Sequence, residues 1–158
     1  MKRPLLAAAL AAVSLAAGAA GVARAASSSG PTLELSVIQA TKTDGAVTVD
    51  PQIRDLPQGQ KPFNDYNVFR LLDRRALHLD PTKPLSFPLV NGRTVLVVLD
   101  GVTDAAQRRY QLETQISEAG KADYLKSLHV TASENQAFFV GGQSYGGGTL
   151  FLELVVRP

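Results

Sequence analysis

Gly142-Gln143-Ser144-Tyr145-Gly146 fits the G-x-S-x-G pattern, in which a sharp strand-to-helix turn exposes a nucleophilic serine. Such a serine needs a histidine base, which in that arrangement follows it in the chain. The two histidines, His78 and His129, both precede Ser144. Gly147-Gly148-Thr149 then leads into alternating Leu150, Leu152, Leu154 and Val156, the pattern of a strand and not of a helix. A serine hydrolase at Ser144 is therefore the last of the readings considered, and no catalytic residue is assigned. The same glycines lack the Gly-Lys-Ser/Thr and the helix of a phosphate loop. What they permit is a backbone free to take positive φ and to approach a partner closely. Gly142, Gln143, Ser144, Tyr145 and Gly146 are thus read as a candidate binding loop with Tyr145 at its tip, the alternative being a plain connector.

Other chemistry-bearing residues converge less. His78 and Asp80 could project together from one strand, but two ligands do not make a structural zinc site, so neither metal nor cofactor is expected. Asp50, Asp55, Asp65, Asp73, Asp80 and Asp100 nearly all adjoin Pro, Gly or a turn, where short carboxylates cap turns and helices. The pairs Arg74-Arg75 and Arg108-Arg109 would together suit an anionic glycan or headgroup, and separately read as solvated charge.

The elements that must position these residues follow a leader. Met1-Lys2-Arg3 is a basic start, residues 4–23 carry no charge, and Ala23-Arg24-Ala25 is a small-x-small cleavage site. Residues 1–25 are read as a cleaved signal peptide of bacterial type and 26–31 (Ala-Ser-Ser-Ser-Gly-Pro) as a flexible tether. A single β domain is expected over 32–158. Export to the periplasm or beyond the cell follows, without lipoprotein acylation because the chain has no Cys, and with no transmembrane segment after cleavage. Three of the 16 Lys and Arg belong to the leader, which leaves 13 against 14 Asp and Glu. That balance disfavours nucleic acid as a partner, since binding it needs a clustered cationic face. Zero Cys also means that no disulfide can support the fold.

Beyond residue 31 the dominant period is two. Alternation predicts strands over 33–40, 85–89, 110–116 and 150–156, with Pro88 placing the second at a sheet edge. The aliphatic run Val95 to Leu99 predicts an interior strand buried on both faces, paired through an Asn91-Gly92 turn of type I′. Asp50-Pro51 predicts a short helix over 51–56. A strand over 63–72 is expected to turn at Asp73-Arg74-Arg75, and a loop or helical turn near Tyr124 to lead into a strand from Leu128. A further short strand is expected over 137–140, with a glycine loop from 141 to 148. The whole reads as a mostly antiparallel β-sandwich, or small barrel, of eight or nine short strands with one short helix.

The function expected of such a chain is a non-enzymatic binding or assembly module of the cell envelope, with a protein partner and no assigned oligomeric state. A β-sandwich that binds a glycan or small ligand through the glycine-rich segment, with Tyr145, Phe138 and arginines in contact, is the alternative.

Overall fold

The computed structural model describes residues 30–104, 106–121 and 127–158. The leader, residues 26–29 of the tether and the segment around Tyr124 lie outside these. The described residues form nine strands: β1 (Thr32–Thr41), β2 (Thr48–Val49), β3 (Val68–His78), β4 (Leu85–Pro88), β5 (Thr94–Asp104), β6 (Arg109–Ile116), β7 (Leu128–Ser133), β8 (Ala137–Tyr145) and β9 (Gly148–Arg157). They make a five-stranded sheet in the order β2-β3-β1-β9-β8 and a four-stranded sheet in the order β4-β5-β6-β7. All pairings between neighbours are antiparallel except the short β2–β3 contact. The expected mostly β, sandwich-like architecture is present. Among the described residues, no helix is long and apolar enough to cross a membrane.

The core lies between the sheets. Leu33, Leu35 and Val37 of β1 and Leu150, Leu152, Leu154 and Val156 of β9 meet Val95, Val97 and Leu99 of β5 and Leu112 of β6. Alternation fixes this face, because successive strand residues point to opposite sides. The other face of β1 and β9 is covered too. Ile53 and Phe63 pack on Ile38, Ala40, Phe69 and Phe151, so the residues between β2 and β3 roof half of the larger sheet's outer surface. The other half is polar. Arg74 donates through Nε to Ser36 Oγ at 3.1 Å and through Nη2 to the Gln52 carbonyl at 2.8 Å. Its guanidinium lies 3.5 Å from Glu34 and 4.0 Å from Glu153, which is only 4% exposed.

Four local expectations are corrected. Residues 51–56 form no helix; Asp50 instead caps a single turn, accepting from the Gln52 amide through Oδ1 and from the Ile53 amide through its carbonyl. Pro57 then blocks propagation. Among the described residues the one helical piece is a 3-10 turn over Phe63–Asp65. Asp73 to Arg75 do not turn, because β3 runs straight through them with Leu72 as a bulge: the register passes from Val37↔Asp73 to Ile38↔Leu71. That extra residue changes which residues face the core, and the resulting break in alternation mimics a turn. The Asn91-Gly92 hairpin does join β4 to β5, yet Gly92 alone takes positive φ (78°). Leu89 and Arg93 are bridged and the Gly92 amide reaches the Leu89 carbonyl, a three-residue loop closed by a left-handed glycine. Finally, β5 holds the interior position expected, between β4 and β6, but only Val95, Val97 and Leu99 are buried, while Leu96 and Val98 are half-exposed.

Two outcomes are expected. Arg74→Ala strands the buried Glu153 carboxylate and should cost about 1–3 kcal/mol in urea unfolding. Arg74→Met combined with Glu153→Leu should recover most of that, because an apolar replacement of both partners leaves no unpaired charge. The second outcome concerns Tyr110, whose hydroxyl donates to Glu134 at 3.3 Å. Burial, then the Glu134 carboxylate, hold its pKa above the ordinary tyrosine value. The unfolded chain therefore loses this proton first, and stability should fall as pH rises past about 10. Tyr110→Phe should flatten that alkaline limb.

Candidate functional site

The segment expected as a glycine loop is mostly strand. β8 continues through Gly141, Gly142, Gln143 and Ser144 to Tyr145, and only Gly146 and Gly147 form the turn into β9. Both turn glycines have positive φ, 54° and 75°, as a two-residue type I′ hairpin requires. Gln39 of β1 donates from Nε2 to the carbonyls of Tyr145 and Gly146, both at 3.3 Å. Tyr145 is thus not the tip of a loop; it ends β8 and packs against the core.

A second bulge decides what β8 presents. The register passes from Gly141↔Phe151 to Gln143↔Leu150, leaving Gly142 unpaired with φ 103°, a conformation open to glycine alone. Before the bulge Phe138 and Val140 lean on the core and Phe139 on the outer cluster. After it Gln143 is opposite the inward Leu150, so the side chain that even alternation would put outside is buried inside. Gly141 faces outward beneath the Phe151 ring, with which any β-carbon there would collide.

The inward turn of Gln143 closes one wall of a cleft of about 400 Å³ between the sheets. Val140 to Ser144 of β8 form that wall; Thr114 and Ile116 of β6, Leu128 of β7 and Arg93 before β5 form the other. Two of its polar atoms are buried without a hydrogen-bond partner among the described residues, Gln143 Nε2 and Thr114 Oγ1. Thr114 is 2% exposed and Gln143 9%. The Gln143 oxygen is engaged, accepting from Asn91 Nδ2 at 3.1 Å, which fixes the amide so that its NH₂ is the end left over. Arg93 donates to the Ser117 carbonyl at 3.1 Å. No protein-family model, curated protein or solved structure matches this chain. Its function must be read from the geometry.

The other sequence candidates are dispersed. Ser144 lies within a strand, so the strand–turn–helix elbow is absent. Arg75 is paired with Asp73, Arg108 with Glu134, and Arg74 with Glu34 and Glu153, so these three arginines are drawn to separate carboxylates. The Asp80 carboxylate takes the hydroxyl and amide of Thr82, which hold it below the ordinary aspartate value. His129 does gain partners: Asp100 and Glu113 approach it from β5 and β6 on the outer face of the smaller sheet. A second hollow, of about 530 Å³, opens on the far side of Gly141 and Gly142. Phe63, Phe139 and Phe151 surround it at ring-centroid distances of 5.0 and 4.7 Å from Phe63, and the Tyr66 hydroxyl there is satisfied by Thr149 at 2.8 Å.

Sequence reasoning reached Gln143 but missed Thr114, Arg93 and Leu128. Thr114 carried a legible signal, being the polar member of the inward series Tyr110, Leu112, Thr114, Ile116. An unpaired buried polar group costs about 1–3 kcal/mol. Thr114→Val should therefore stabilise the protein, with a rise in thermal midpoint; a lower midpoint would show that the hydroxyl is well served by the fold itself.

Proposed function

We propose that this chain is an exported, non-enzymatic binding module of the bacterial cell envelope, and that its ligand is a small oxygen-rich molecule held in the cleft beside β8. One observation carries the reading: two residues that line one open cleft, Gln143 and Thr114, each hold a buried polar group, the amide NH₂ and the hydroxyl, with no protein partner among the described residues. Retaining unpartnered donors at such a place is costly unless something else supplies acceptors. Ile116, Leu128 and Val140 offer an aliphatic wall for the body of the ligand, and Arg93 a cationic edge. A few fixed polar groups in a largely apolar concavity is the usual composition of a small-molecule site. A sugar ring, with hydroxyls around a hydrocarbon frame, meets both requirements.

The test is NMR titration with a panel of neutral hexoses, N-acetylated amino sugars and uronic acids, following the Gln143 side-chain amide. A saturable shift is expected for at least one sugar, with affinity at least tenfold weaker in the Thr114→Val/Gln143→Leu variant. Silence of that amide across the panel, or an unchanged affinity in the variant, overturns the reading. Ser144→Ala should leave binding intact. The mass of the exported protein tests the compartment, with Ala26 expected as the first residue.

A second reading rests on β8 lying at the edge of its sheet, where one row of backbone groups has no strand neighbour. Such an edge is where an envelope protein could add a strand by β-augmentation. The Gly142 bulge interrupts it, so a partner strand would pair with only part of β8.

A further inference from the structure

We propose that Asp100, Glu113 and His129 form a three-ligand site for a first-row divalent cation, with Zn²⁺ as the reference ion, on the face of the smaller sheet opposite the cleft. Three adjacent strands supply one ligand each. Glu113 of β6 and His129 of β7 are directly opposed in the register. Asp100 belongs to a bulge in β5, where pairing passes from Leu99↔Leu112 to Gly101↔Gln111 and leaves Asp100 without a counterpart. Its neighbour Gly101 adds no side chain to the surface, and nothing lies within 4 Å of where a β-carbon would stand. One ligand atom from each residue falls within 4.8 Å of the other two, and His129 Nδ1 is 3.6 Å from Asp100 Oδ2.

The donor set selects the ion. A neutral imidazole with two carboxylates suits zinc and its neighbours, whereas Ca²⁺ and Mg²⁺ prefer all-oxygen shells. Tetrahedral zinc, bonded at about 2.0–2.2 Å, needs ligand atoms about 3.3 Å apart. The side chains therefore have to close by about 1.5 Å at most, which rotation of surface side chains allows. With three protein ligands, the fourth position is left to water or to a group on a partner. Two further observations point the same way. Gln115 donates from Nε2 to Glu113 at 2.7 Å, an outer contact of the kind that orients a ligating carboxylate. A concavity of about 300 Å³ also opens beside Asp100 and His129, with Gln111 and Thr131 in its wall. Among the described residues no Lys or Arg forms an ion pair with Asp100 or Glu113, so with a neutral His129 the cluster carries two negative charges.

Calorimetric titration of Zn²⁺ into the exported chain, without a histidine tag and in a non-coordinating buffer, tests this. One ion per chain is expected, with affinity reduced at least tenfold in Asp100→Asn, in Glu113→Gln and in His129→Gln, and unchanged in His78→Gln. Gln115→Ala should weaken binding about tenfold without removing it. Co²⁺ should give the intense visible bands of a four- or five-coordinate ion in the wild type and not in His129→Gln. Apart from the His78 control, which ends β3 of the larger sheet, the altered side chains are on the smaller sheet, and circular dichroism checks that the variants remain folded. Absence of stoichiometric binding, or equal losses in His78→Gln and His129→Gln, overturns the proposal, since either result means isolated histidines and no shared site. The sugar-binding reading of the cleft stands or falls separately, because it involves none of these residues.

Discussion

β1 and β9 lie side by side at the centre of the larger sheet, and each must bury both of its faces. Inward, Leu33, Leu35 and Val37 and the four residues Leu150, Leu152, Leu154 and Val156 are all 2% exposed or less. Fully burying a side chain of that kind contributes about 1.5–3 kcal/mol, and the chain has no disulfide to add to it. Outward, the same strands carry Ile38, Ala40 and Phe151 at one end and Glu34, Ser36 and Glu153 at the other. Among the described residues no second sheet covers that side. The connection between β2 and β3 therefore folds back over it, laying Ile53 and Phe63 on the apolar end, while Arg74 spans the polar end and is anchored to the same connection through Gln52.

This arrangement determines where a binding surface can form. β8 hangs on β9 alone, so it receives less support than β1 or β9 and its far side stays open. Its side chains have to serve the core on one face and the aromatic roof on the other, and the Gly142 bulge reassigns them partway along. Had β8 alternated evenly, Gly142 would face the core and Gln143 the aromatic side. Instead an amide enters the space between the sheets, and the Phe151 ring takes the place above Gly141 that a side chain would have filled. One glycine with φ 103° thus separates an aromatic hollow from a polar cleft across the thickness of a single strand.

Much of this was legible in the sequence, and several of the departures trace to β-bulges. Strands with unbroken alternation, such as 33–40 and 150–156, are set by solvent exposure alone, and Pro88 marked β4 as an edge because its nitrogen has no hydrogen to donate. Bulges were invisible. At Leu72 the extra residue broke the alternation and was read as a turn at Asp73, although antiparallel pairing to β1 holds the strand straight. At Gly142 the same device sits inside a glycine-rich run whose composition is that of a loop, and nothing local in that run signals that Gln143 turns inward. The type I′ turn was assigned to Asn91-Gly92 and is found instead at Gly146-Gly147, because the Gly92 loop is one residue longer. The segment 51–56 stops at the single turn capped by Asp50, with Ile53 laid on the sheet beneath it and Pro57 blocking propagation. The His129 cluster depends on strand order and on a third bulge, at Asp100, so no local spacing could have announced it.

The cleft and the carboxylate–histidine cluster are tied together by register. In the β6–β7 pair, Glu113 is opposite His129 and the next pair is Thr114 with Leu128. The first pair serves the outer surface and the second the cleft, so two sites of different chemistry occupy adjacent rungs of one ladder. Because side chains alternate with a period of two, a slip of one residue in β6 would exchange them, sending Glu113 into the core and Thr114 into water. An ionised carboxylate turned toward the β9 leucines would have no partner there, and Leu112 would be turned out of the core with Thr114, costs that far exceed what a threonine gains by exposure. Hydrogen bonds from Ser127 and Gln115, which hold the Glu113 carboxyl below its ordinary value, favour the charged form on the outside and oppose the slip further. The charged rung thus acts as a register pin for the polar rung beside it: the group that keeps Glu113 in water is what keeps Thr114 in the cleft.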